Sequence, residues 1–178
     1  FAAPPSELVK DAELFADRVQ STATSLLGLV GIAGDPLRSR EHVLLATILA
    51  HAWTNGASLA LAELIHRVQD PPFERVGTFA LESFYPRKDR FELALALNNL
   101  TASPRFALWS EGEALDVERL LFTTEGKPRL AIVSISHLDE RERMFFVSLL
   151  LNEVISWVRR QPGSQSLRAI LYMDEVFG

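Results

Sequence analysis

Asp174 and Glu175 are adjacent acids, and a run of five apolar or aromatic residues, 169–173, leads into them. Such a run reads as a buried strand. A strand holds acids rigidly at its carboxyl end, the edge where ligands sit in open α/β sheets. There an Asp can orient a hydrated divalent cation, and the following acid can take a proton from a water aimed at a phosphate. The plainer reading of the same residues makes Asp174 the cap of a following helix.

Phosphate chemistry of this kind needs a cradle of backbone N–H groups, which the pattern G-x-x-x-x-G-K-[ST] supplies. No stretch matches it. Gly126-Lys127 is the only Gly-Lys pair, but Pro128 follows it and Leu121 stands where the first glycine belongs. Residues 31–35 (GIAGD) have glycines and no lysine. The chain begins at Phe1 and stops three residues after Glu175. The expectation is an internal piece of a longer protein, with the phosphate-binding loop outside these residues.

The elements that must position the acids fall into two parts. The first is helical. Ser6 is the expected cap of a helix whose apolar stripe (Leu8, Phe15, Val19, Leu26, Leu27, Val30) ends near Gly31. Ser39 caps a helix over 40–54, and Asn55-Gly56 ends it. Ser58 caps a third, to about Val68, and Asp70-Pro71-Pro72 stops it. Residues 73–86 read as irregular, with Phe73, Phe79, Phe84 and Tyr85 sealing a small core. A further helix spans 88–101, and short turns are expected at 106–110 and 116–121.

The character then changes. Residues 130–135 (LAIVSI) read as a buried strand. A long helix follows over 139–160, apolar around most of its circumference, so burial on nearly all sides is expected. Asp139 stands at its amino end and Arg159-Arg160 at its carboxyl end, as the helix dipole prefers. Strand, helix, strand is the pattern of a right-handed crossover between parallel strands. The division is therefore residues 1–126, helical, and residues 127–178, α/β. The fold class is α/β by architecture, with most of these residues in helices.

Parallel strands present their functional ends on one edge, which places Ser134, Ser136 and His137 beside Asp174 and Glu175. A hydroxyl or imidazole there could sense a phosphate. The bland alternative makes Ser136 a cap and His137 a solvated loop residue. His42, His51 and His66 are scattered on helices, with no second ligand pair at metal spacing. Basic residues fall in small groups: Arg38 with Arg40; Arg87, Lys88 and Arg90; Arg159 with Arg160. Arg38, Arg40, Arg141 and Arg143 are candidates to reach a neighbouring subunit's nucleotide, with a solvated face as the simpler role for each.

Composition sets outer bounds. The chain is 48% apolar and 23% charged, ordinary for a globular protein. It has no cysteine, so disulfides and thiolate metal sites are excluded. A net charge of −5 argues against a broadly basic nucleic-acid surface. No apolar run reaches the roughly 18 residues of a membrane span. A cytoplasmic setting and no membrane partner are the expectation.

Residues 35–45 (DPLRSREHVLL), 142–154 (ERMFFVSLLLNEV) and 167–178 (LRAILYMDEVFG) together resemble the HerA-type, FtsK-like branch of P-loop ATPases, bacterial ATP-binding proteins of the helicase and DNA-translocase group. The resemblance implies a mainly helical subdomain inserted between the Walker A and Walker B parts of a RecA-like core. It implies ATP and Mg²⁺ as cofactors, a hexameric ring, DNA through its centre, and room for a nuclease partner. It makes Asp174 the Mg²⁺-associated acid, through water, and Glu175 the catalytic base. Without Walker A, these residues alone are expected not to turn over ATP. The competing reading is a helical protein-interaction module with a docking α/β tail and no catalysis.

Overall fold

In the computed structural model, which describes residues 1–103 and 115–174, caps and breakers in the sequence set the helix ends. A short α1 (Ser6–Lys10) precedes α2 (Ala12–Leu29), where the Asp11 carboxylate accepts from the Leu14 amide at 3.1 Å. Ser39 accepts from the His42 amide and opens α3 (Arg40–Thr54). α4 (Leu61–Gln69) stops before Pro71-Pro72. A two-stranded antiparallel hairpin follows, β1 (Arg75–Val76) and β2 (Phe79–Ala80), with Arg75 opposite Ala80 and Val76 opposite Phe79. Gly77 makes its two-residue turn at φ +57°, a conformation that side chains with a Cβ resist. α5 (Leu81–Phe84) and α6 (Arg87–Ala102) complete the first part. α7 (Val117–Leu121) is capped by Asp116. In α8 (Glu140–Arg160) the Asp139 side chain accepts from the Glu142 amide while the Glu142 carboxylate accepts from the Asp139 amide. That reciprocal pair satisfies two amides that a helix start leaves open.

The protein is mostly helical. Its main core lies between α2, α3, α4 and α6, where Leu27, Leu45, Ile48, Leu49, Leu64 and Leu97 have no exposed surface. α2 packs against both α3 and α8, and α4 packs against α6. Among the described residues Trp53 is the largest side chain in the fully buried set, edge-on to Phe15 with ring centroids 6.5 Å apart.

Several expectations are corrected. Ser6 does not cap α1; Pro5 holds that position, and the Ser6 hydroxyl donates to Glu7. Ser58 does not cap α4; its hydroxyl accepts from the Ala3 amide and ties the amino-terminal segment down. Residues 73–86 hold the hairpin rather than being irregular throughout, and Phe79 is exposed while Tyr85 is buried. α8 is not buried on nearly all sides, since Met144, Ile155 and Val158 are exposed.

The largest difference concerns the strands. Residues 130–135 and 169–173 are neither helix nor paired strand. Among the described residues the one sheet is the hairpin, and beyond it a single antiparallel bridge joins Phe122 to Pro128. The reason is physical. An apolar strand stands only with a hydrogen-bonding neighbour and a layer over each face. Here Leu130, Ile132, Ile170 and Tyr172 all remain 75% or more exposed. The turns expected at 106–110 lie outside the described residues.

Candidate functional site

Asp174 is described and exposed; Glu175 lies outside the described residues. The segment before Asp174 is not held in a sheet, so its carboxylate is not fixed at a strand end as the sequence pattern suggests. Ser134 and Ser136 are exposed, their hydroxyl oxygens 3.3 Å apart. Ser136 and His137 occupy a turn closed by the Leu138 amide, which donates to the Ile135 carbonyl. Ser136 therefore does not cap α8; Asp139 does. No sheet edge relates Ser136 and His137 to Asp174 among the described residues, because neither segment is paired.

The arginines sort differently from their sequence grouping. Arg40 pairs with Asp89 at 3.2 Å, and its guanidinium lies 4.9 Å from the centre of the Tyr85 ring. The Tyr85 hydroxyl donates to Glu41. Burial, then the nearby Glu41 carboxylate, push the Tyr85 hydroxyl well above the usual phenol range. Arg40 thus belongs to a cluster that pins α6 to the start of α3. Arg141 lies on Gly31, where α2 ends with φ +76°; a Cβ there would come within 2.7 Å of its guanidinium. Arg38 and Arg143 are exposed.

Arg90, grouped in the sequence with Arg87 and Lys88, is buried instead. It donates to the Tyr85 carbonyl at 2.6 Å, the Gln69 carbonyl at 3.3 Å and the exposed Glu82 carboxylate at 2.7 Å. That hydrogen bond, followed by one from the Arg87 amide, holds the Glu82 carboxyl below its usual range. The periodicity of α6 carries the signal: Arg90 precedes Leu93, Ala94 and Leu97 on one face.

His42 is another residue that spacing alone does not single out. It has no exposed surface. Its Nε2 lies 3.0 Å from the Thr24 hydroxyl and 3.3 Å from the Gln20 carbonyl. A carbonyl only accepts, so Nε2 carries the proton and Nδ1 is the unprotonated nitrogen. Nδ1 is buried without a partner. Charging the ring would place a second N–H where nothing accepts it. Burial accordingly lowers the His42 pKa, against the smaller opposing pulls of the Gln20 carbonyl and Asp35. A folded pKa below the unfolded value means that the unfolded chain binds the proton first. The stabilising effect is complete above pH 6.5 and is lost as the pH falls below it. The protein is therefore expected to lose stability between pH 7.5 and pH 5.5 in part through this group. Urea unfolding at pH 7.5 and 5.5 measures it. His42→Phe should reduce the difference, and the His42 ring of the native protein should take up its proton at a lower pH than that of the unfolded chain.

Open hollows mark the surface of the described residues. One, of about 360 Å³, runs between α4 and α6 over Ile65, His66, Phe91, Ala94 and Leu95. Another, of about 330 Å³, lies beside Arg90 and Phe73. Among the described residues no group of three or more His, Asp or Glu is placed to hold a metal ion. No helix among them is long and apolar enough to cross a membrane. Comparison with protein-family models, with curated proteins and with solved structures returns no match.

Proposed function

We propose that these residues are the helical subdomain and part of the RecA-like core of an ATP-hydrolysing, DNA-translocating motor of the HerA-type, FtsK-like kind. One observation carries the reading: the apolar run 169–173 that ends in Asp174-Glu175. Its companion is the second apolar run, 130–135, on the other side of α8. In both runs neighbouring side chains of opposite parity, Ile132 with Val133 and Ile170 with Leu171, are exposed. Successive side chains of a strand point to opposite faces, so these runs suit a sheet covered on both sides.

In that setting Asp174 would hold Mg²⁺ through its water shell. Mg²⁺ keeps several waters and takes one or two carboxylates beside phosphate oxygens, so an exposed carboxylate suits it. The metal ion, when bound, neutralises charge on the phosphates. Glu175 takes the proton of the attacking water. The motor is read as a hexamer around DNA, in the cytoplasm, with a nuclease as its further partner. A second reading, a helical interaction module without catalysis, draws on the groove between α4 and α6, where Phe91 and Leu95 are each about half exposed.

The test is ATP turnover by the longer protein that supplies a phosphate-binding loop, with and without DNA, beside its Glu175→Gln variant. The expected result is DNA-stimulated turnover that falls roughly 100-fold or more in the variant while ATP binding persists. A folded protein that binds no ATP, or turnover equal in the two, overturns the motor reading and leaves the interaction module.

A further inference from the structure

The main buried cluster draws its members from Val19 to Leu97, and the partly buried side chains packed on it run no further than Leu100. α8 packs on α2, yet its own buried Phe145, Leu150 and Trp157 are not part of that cluster. Three polar contacts key α8 to α2. The buried Arg18 guanidinium pairs with Glu153. The Asn152 amide donates to the Ser21 hydroxyl at 3.0 Å. At the far end the Arg141 guanidinium lies over Gly31. The contacts run in opposite directions along the two helices, so α8 is antiparallel to α2.

Such a seam specifies register more than it stabilises. Desolvating a guanidinium and a carboxylate offsets much of their attraction. Here the Arg18 Nε and Nη1 are also buried without an acceptor, which adds a cost to the docked state. The α2–α3 contact has orphaned atoms of its own, His42 Nδ1 and Trp53 Nε1, but offsets them with wholly buried leucine and isoleucine of the main cluster, to which α8 contributes nothing. Polar interfaces within a chain are the ones at which units separate, and helices open as cooperative units from the least stable contact inward.

We propose that α8 is a detachable helix, keyed on α2 by the Arg18–Glu153 pair, that leaves α2 as a unit while the α2–α6 core stays folded. Because residues 161–174 follow directly from its carboxyl end, release of α8 moves Asp174 relative to that core. The proposal does not depend on what Asp174 does.

Hydrogen exchange read by mass spectrometry on the whole chain tests it, in three forms: native, Glu153→Gln, and the double variant Arg18→Met with Glu153→Met. Native α8 amides should exchange at least tenfold faster than those of α3. Glu153→Gln leaves the Arg18 charge buried alone and should speed α8 by a further tenfold or more, with α3 within twofold of native. The double variant removes both charges of the pair and should return α8 to native protection or better. Equal rates in α3 and α8 that shift together would overturn the proposal. So would an α8 unmoved by Glu153→Gln, or a double variant as loose as the single one.

Discussion

Trp53→Ala lowers the unfolding free energy by about 3–5 kcal/mol and the melting temperature by roughly 6–20 °C. The side chain is 1% exposed and fills the space between α2 and the rest of α3, with Phe15 against its edge. Its removal loses the transfer free energy of an indole and leaves a cavity that helices packed on both sides cannot close. The indole Nε1 has no hydrogen-bond partner, so the loss comes from packing. Trp53→Phe should therefore retain most of the stability. Thermal melts of the two variants beside the native chain decide the matter. A Phe variant as unstable as the Ala variant would mean that the indole nitrogen has a role the packing argument omits.

Arg90→Ala comes next, with an expected loss of about 2–4 kcal/mol from the two backbone carbonyls alone. The Tyr85 and Gln69 carbonyls both face the buried guanidinium, and without it they lose a charged donor. The bond to Glu82 is left out of that figure, because Glu82 is exposed and water replaces its partner. Arg90→Lys should recover little. The acceptors are engaged by Nε, Nη1 and Nη2 in different directions, and a lysine ammonium is a single point with no fork. Urea unfolding of both variants measures this, and a lysine variant of native stability would show that charge rather than geometry is what the pocket needs.

The helical half was legible to different depths. α3 was readable to the residue, because Ser39 is a capping side chain, Asn55-Gly56 a stop, and the apolar residues between them keep helical spacing. Asp139 and the Arg159-Arg160 pair likewise marked α8. Ser6 and Ser58 misled because a serine before a helix has other partners on offer. Ser58 finds the Ala3 amide, 55 residues away, which no local pattern records. By residue type and spacing alone, Arg90 belongs to a surface basic group and His42 to a scattered set of histidines. Their burial depends on which neighbours α6 and α3 meet.

The candidate site is the opposite case. The run into Asp174-Glu175 is a local pattern, and the proposal of phosphate chemistry rests on residue type alone. Positioning those acids takes a sheet, and strand pairing is a long-range property.

The sequence by itself determined that the chain is mostly helical and where most helices start and stop. Each of these follows from residues within a few positions of one another: caps, breakers and periodicity. Only the tertiary structure decided that Arg18, His42 and Arg90 are buried, that α8 lies along α2 on a polar seam, and that residues 130–135 and 169–173 stand without strand partners among the described residues. Those outcomes turn on contacts between residues tens of positions apart, where the free energy of burial depends on the partner that happens to be there.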